Sequence, residues 1–236
     1  MMDVVINSGN GRHMPLVLWD IDHTLIDTRG VGRELSAAAF VEVTGQPMRE
    51  QATIDGITEA VIFRETAKIH GLTTDRADFE RFAQALTVQH VAHGAELRER
   101  GCALLGAAAA LDALAVAGAR QTVVTGNVRP VAEIKLGVFG LDTHIEWEVG
   151  AYGEDADLRP DLVDLALTRS FTAAGDAVLI GDTPADVEGG RENGVHVIAV
   201  ASGRSSVREL RGASAHHVLE DLRDIERLLT LIASRA

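Results

Sequence analysis

At 236 residues, 46% of them apolar, the chain has material for one large domain or for a core with a smaller module. Its net charge of −13, with no basic run, argues against a nucleic-acid backbone as partner. Cys102 is the single cysteine, so an internal disulfide is excluded and a reducing cytoplasm is the expected setting. The apolar neighbours Ala103, Leu104 and Leu105 predict a packed thiol rather than a nucleophile. No stretch of about 18 apolar residues is present, so no membrane span is expected. Met1 to Arg12 lacks the pattern of a signal peptide, and Ser8-Gly9-Asn10-Gly11 reads as a flexible lead-in.

In chain order, Leu16 to Trp19 is an apolar run and predicts a buried strand. Two acids at alternate positions follow it, Asp20 and Asp22, and then Thr24. Helical periodicity begins at Val31 and runs to Val43, with Leu35, Ala38 and Ala39 on one face and Gly45 as the stop. A second helix is predicted over Ile57 to His70, ended by Gly71. One or two more are predicted over Asp75 to Arg100, with Phe79, Phe82, Leu86 and Leu97 as the apolar stripe. No strand is predicted between Asp27 and Gly101, so residues 28–100 read as an all-helical insertion.

From Ala107 helix and strand alternate. Helices are predicted at Ala107–Ala117, Val131–Val138, Pro160–Ala174, Pro184–Glu192 and Asp221–Ile232. Strands are predicted at Gln121–Thr125, His144–Val149, Ala177–Ile180 and Val195–Val200. This alternation implies an α/β core, a parallel sheet with helices on both faces, which the first strand must join. The core is therefore expected over residues 1–27 and 101–236, with the helical module, 28–100, inserted after the first strand.

Three of the strands end in polar, tight-turn residues: Asp20-Ile21-Asp22, Thr125-Gly126-Asn127 and Gly181-Asp182-Thr183-Pro184-Ala185-Asp186. A parallel sheet opens all these ends on one side, where ligands of such sheets bind. Carboxylates crowded there repel one another without a counter-charge, and Mg²⁺ beside a phosphate answers that need. Asp20 is then the nucleophile. The cation is held by Asp20, the Asp22 main-chain carbonyl and Asp182. Thr125 and Gly126 receive phosphoryl oxygens, and Asp22 is the general acid and base. Each segment alone also fits an ordinary turn or helix start; the three in this order are specific.

These motifs resemble those of the haloacid dehalogenase superfamily, and within it the phosphoglycolate phosphatase-like group. Asp20 to Thr24 matches the first motif, Thr125-Gly126-Asn127 the second and Gly181 to Asp186 the fourth, and the likeness spans nearly all of the chain from Leu16. The resemblance implies a Rossmann-like core, a helical cap that closes over the substrate and a phosphatase reaction through a phosphoaspartate. It also adds Asp186 to the metal-site residues Asp20, Asp22 and Asp182 and places Asn127 beside the substrate; His23, inside the first motif, either borders the substrate or serves as a spacer.

Two departures bear on function. The third motif usually supplies a lysine, but this chain has only Lys68 and Lys135, and Arg159 stands near the expected place. Arg159 is read as the cation that binds phosphate, with Lys135 as the fallback. In the cap, Gly56-Ile57-Thr58 stands where related phosphatases often carry Gly-Arg-Thr. The missing arginine counts against a phosphoglycolate-like substrate; Arg33 and Arg64 could contact substrate but also fit an exposed helix face.

The expected function is a Mg²⁺-dependent phosphatase for a small phosphorylated metabolite, as monomer or homodimer. A sugar-phosphate mutase would share the same core residues. A weakly catalytic binding or regulatory protein is possible on the same scaffold. A dehalogenase would not need Asp22, and a Schiff-base phosphonate hydrolase would have to use Lys68, which nothing in the sequence activates. His216-His217 reads as surface.

Overall fold

The computed structural model describes residues 14–53 and 56–234; the lead-in expected at Ser8–Gly11 lies outside the described residues. The chain opens with β1 (Leu16–Trp19) and the short β2 (Ile26–Asp27). Four helices follow, α1 (Val31–Thr44), α2 (Glu59–Ile69), α3 (Arg76–Ala92) and α4 (Gly94–Arg100), and then β3 (Cys102–Ala103). The remainder alternates: α5 (Ala107–Val116), β4 (Gln121–Val123), α6 (Arg129–Phe139), α7 (Arg159–Ser170), β5 (Ala177–Gly181), α8 (Pro184–Glu192), β6 (His196–Val200), α9 (Val207–Gly212), β7 (His217–Leu219) and α10 (Ile225–Ala233).

Five strands form one parallel sheet in the order β4-β1-β5-β6-β7. Alternation along the strands divides the core in two. Val17, Trp19, Val178 and Ile180 face one layer, with α5 and α10 residues such as Leu111 and Leu228. Leu16, Leu18 and Leu179 face the other, with Leu162 and Val163 of α7 and Val187 of α8. β1 is buried on both sides because β4 and β5 flank it. Its Trp19 indole donates to the Gln121 side chain at 3.0 Å, and Gln121 donates to the Leu111 carbonyl at 2.9 Å. A buried polar pair is thereby satisfied.

β2 and β3 pair antiparallel, bringing together the two ends of the segment that holds α1–α4. The four helices enclose a core of their own, with Phe40, Phe63, Phe79 and Phe82 at its centre; the Phe63 and Phe82 rings stack at 4.5 Å. Val128 and Val131, at the start of α6, pack into this cluster. Cys102 is half-buried and free.

The strand expected over His144–Val149 is absent. The segment follows the outer edge of β4, with Glu146 N–H donating to Gln121 C=O at 2.8 Å and Ala151 N–H to Val123 C=O at 3.0 Å. Between them Trp147–Val149 forms a 3₁₀ turn that takes up the extra residues. α7 ends at Ser170 rather than Ala174, because Phe171 turns left-handed (φ 53°). α2 begins two residues after Ile57, and α9 and β7 were not foreseen.

Gly106 shows how tightly the layers meet. It precedes α5 with φ 88°, and a Cβ there would lie 2.2 Å from the Leu222 backbone. Gly106→Ala is expected to lower unfolding stability by more than about 1 kcal/mol, read by urea denaturation; an unchanged midpoint would show that the backbone yields.

Candidate active site

β1 delivers Asp20 to the carboxyl edge of the sheet, where its N–H donates to Ile180 C=O at 2.9 Å and its side chain is buried. The chain then turns sharply: the Leu25 and Ile26 N–H groups both bond Ile21 C=O, and His23 adopts φ 65°. The turn returns Thr24 to the site, with its hydroxyl 3.3 Å from both Asp20 Oδ2 and Asp182 Oδ1.

β5 delivers Asp182, 2% exposed. Thr183 and Asp186 form a reciprocal capping box at the start of α8, which fixes Asp186 Oδ2. Oxygens of Asp20, Asp182 and Asp186 lie within 4.8 Å of one another. Arg159, the first residue of α7, reaches the same place. It donates to Val124 C=O at 2.9 Å and to Asp20 Oδ1 at 3.3 Å, and its Nε lies 3.2 Å from Asp186 Oδ1 without hydrogen-bond alignment.

Asp22 points elsewhere. Lys135 of α6 donates to both its oxygens, at 2.9 and 2.8 Å, and to Asn127 Oδ1 at 2.7 Å; Asn127 Nδ2 donates to Asp22 Oδ2 at 2.7 Å. Asn127 also donates to the Thr125 hydroxyl from its side chain, at 2.9 Å, and from its main chain. The two candidate cations therefore divide: Arg159 serves Asp20 and Asp186, and Lys135 serves Asp22.

The environments drive the two neighbouring acids apart. Burial and the Asp186 charge raise Asp20 well above the usual carboxylate range, against the opposing pull of Arg159. Burial and the Asp20 and Asp186 charges raise Asp182 likewise. Burial acts upward on Asp22 too, but Lys135 and Asn127 outweigh it and its carboxyl is lowered. Three buried carboxylates against one guanidinium leave negative charge uncompensated, and Asp186 Oδ1 lacks a hydrogen bond. An oxygen-preferring divalent cation fits this donor set, and Mg²⁺ suits a site beside phosphate.

These groups line a cavity of about 130 Å³, small beside the roughly 300–1,000 Å³ that takes drug-sized ligands. Asp20, Asp22, Thr125, Lys135, Arg159 and Asp182 come from the α/β core, and Arg33, Gln51, Glu59 and His90 from the helical segment. His23, Gly126 and Asn127 also border it. The segment at residues 56–59 lies directly on the core: Glu59 N–H donates to Gly126 C=O at 2.8 Å, and a Cβ on Gly126 would meet Ile57 O at 2.3 Å. Arg64 pairs with Asp157 at 2.9 Å and Lys68 with Glu65 at 2.7 Å, and neither lines the cavity. His216 is exposed. Glu59 and His90 were not singled out from the sequence, where both read as ordinary helix positions.

A family model for haloacid dehalogenase-like hydrolases matches residues 17–200. The chain belongs to that family. Among curated proteins it is similar to the tyrosine-protein kinase PtkA of Mycobacterium tuberculosis, 28% identical over 202 residues; the match covers 83% of this chain and 65% of that protein. Among solved structures it resembles a hydrolase from Pseudomonas syringae (21% identity, TM-score 0.68, 94% of this chain and 100% of the other). It also resembles a predicted phosphoglycolate phosphatase from Haemophilus somnus (17%, 0.63, 91% and 97%). A third likeness is to CbbY from Rhodobacter sphaeroides in complex with phosphate (18%, 0.65, 90% and 96%). At these identities the likeness to the solved structures is one of fold. No helix among the described residues is long and apolar enough to cross a membrane.

The raised carboxyls carry a pH signature. A group whose folded pKa exceeds its unfolded one stabilises fully below the unfolded value, and that contribution is lost as pH rises through the folded one. The Tm of chelator-treated protein is expected to fall as pH is raised out of the ordinary carboxylate range, with a shallower slope in Asp182→Asn. Added Mg²⁺ should raise Tm most at the alkaline end; a Tm indifferent to Mg²⁺ at every pH would remove the cation assignment.

Proposed function

We propose that this hydrolase is a Mg²⁺-dependent phosphatase for a small phosphorylated metabolite, working through a phosphoaspartate on Asp20. The observation that carries the reading is the opposed pair: Asp20 lies against Arg159 and Asp182, while Asp22, two residues on, is held apart by Lys135 and Asn127. Titratable neighbours driven in opposite directions are the mark of divided acid–base roles. The family and the small polar cavity support it further.

In this reading an Asp20 oxygen attacks phosphorus and the bond to the leaving oxygen breaks, with Asp22 giving that oxygen its proton. Water then attacks phosphorus of the phosphoaspartate, Asp22 takes the water proton, and Asp20 and inorganic phosphate are released. Arg159, fixed by Val124 C=O, faces the charge that builds on the phosphoryl oxygens, and Thr125 and the Gly126 main chain lie beside it. Bound by Asp20, Asp182 and the Asp22 carbonyl, with Asp186 adjoining, Mg²⁺ would offset charge between nucleophile and phosphate. Lys135 holds Asp22 as a carboxylate, ready as base for the second step; for the first it must collect a proton.

A sugar-phosphate mutase would use the same core groups, with a substrate hydroxyl replacing water as acceptor. The likeness to PtkA adds that phosphoryl transfer to other acceptors belongs among the activities to assay. Net charge of −13 supports a small-molecule substrate over a nucleic acid.

Hydrolysis of an aryl phosphate is expected to require Mg²⁺ and to fall about a thousandfold or more in Asp20→Asn. Arg159→Lys should keep more activity than Arg159→Ala, since a cation still faces Asp20. Equal turnover by wild type and Asp20→Asn would refute the phosphoaspartate.

A further inference from the structure

The part of the cavity wall contributed by the helical segment holds two buried polar atoms that the reaction does not use. His90 is 1% exposed on α3, and Glu59 opens α2; both line the cavity, and His90 Nε2 and Glu59 Oε2 have no hydrogen-bond partner among the described residues. Their chemistry is the same. His90 Nδ1 lies 2.9 Å from the Leu86 carbonyl, which can only accept, so Nδ1 carries the proton and Nε2 presents a lone pair. Burial supports the neutral ring by holding it down to about 4. Glu59, as a carboxylate, also only accepts.

Both groups lie within electrostatic reach of Asp22 and Lys135. The three contacts of Lys135, to Asp22 and Asn127, use its donors, so it is not the missing partner. Asp22 faces the leaving oxygen in the reaction above, so groups beyond it on the helical side face the leaving alcohol rather than the phosphoryl group. Ile57 and Ile62 provide the apolar wall there. A buried acceptor without a donor has lost its water and gained nothing in return, so the site favours an occupant that supplies donors.

We propose that Glu59 and His90 form a leaving-group subsite that selects phosphomonoesters whose alcohol carries a hydrogen-bond donor, a hydroxyl or an ammonium group, and rejects those carrying a carboxylate. The subsite rests on the phosphatase reading and refines it. Burial pushes Glu59 up to about 7 against the opposing pull of Lys135, so the carboxylate form is the one present above that pH. Arg33 also lines the cavity but is exposed.

The test is calorimetric binding to the non-reacting Asp20→Asn protein with Mg²⁺, using glycerol phosphate, phosphoethanolamine, propyl phosphate and phosphoglycolate. At least one of the first two is expected to bind tenfold or more tighter than propyl phosphate, and phosphoglycolate no tighter than propyl phosphate. Adding Glu59→Gln separates the sources: an ammonium preference is lost with the charge, whereas a hydroxyl preference survives on the amide oxygen. Adding Glu59→Ala removes either. Wild-type kcat/KM across the same esters repeats the comparison without altering the wall. Equal binding of propyl phosphate and both donor-bearing esters, or a preference for phosphoglycolate, overturns the subsite alone. Failure of all four to bind overturns the phosphatase reading and the subsite with it.

Discussion

Everything at the carboxyl edge of this sheet depends on how three buried carboxylates are kept from driving one another apart. The strand order sets the problem, since β1 lies between β4 and β5 and brings Asp20 beside Asp182. Arg159 is the protein's own answer. Its guanidinium is anchored on a main-chain carbonyl, which cannot titrate, and reaches Asp20 and Asp186 from there. It stands at the N-terminus of α7, whose end carries partial positive charge, so side chain and helix act in the same direction on Asp20. The compensation is incomplete, and the remaining negative charge is what suits the site to an oxygen-preferring cation.

The second cation is kept out of this balance. Lys135 could have joined Arg159 and neutralised the cluster, leaving little for a metal to do. It is bound instead by Asp22 and Asn127, which closes a separate network one turn of chain away. Two aspartates two residues apart thus sit in opposite fields, one raised and one lowered. The His23 turn makes this possible by folding residues 21–26 so that Asp20 and Asp22 project into different networks.

The sheet was legible because the short continuous apolar runs at Leu16–Trp19 and Ala177–Ile180, bounded by turn residues, read as strands buried on both faces. The capping pattern from Thr183 to Asp186 likewise fixed the start of α8. Legibility failed where the local signal was short or reversed by context. β7 is three residues long, α9 is barely more than a turn, and Phe171 stops α7 in a left-handed conformation that a large side chain seldom adopts. His144–Val149 has strand-like composition but meets β4 only at its ends. In the site, the aspartates could be read because strand ends converge by topology, whereas Arg159 came only from the place the family resemblance gives its third motif. Which cation pairs with which aspartate could not be read, since that depends on the reach of side chains from α6 and α7. Glu59 and His90 were invisible for a related reason: they come from two helices of a block whose placement over the core no periodicity encodes.

That placement is itself constrained by packing. Val128 and Val131 belong to α6 of the α/β core yet lie fully within the aromatic cluster of the helical block. A rigid swing of the whole block would return both to water, at roughly 1.5–3 kcal/mol each. Residues 56–59 are held on the core too, by the Glu59–Gly126 hydrogen bond, by close approach to Gly126 and Ala185 and by the burial of Thr58. A displacement of this segment would carry Glu59 with it, since Glu59 is its last residue and the first of α2. Glu59 and Asp20 line the same cavity, so the packing that places this segment on the core also sets the distance between the helical wall and the carboxylates.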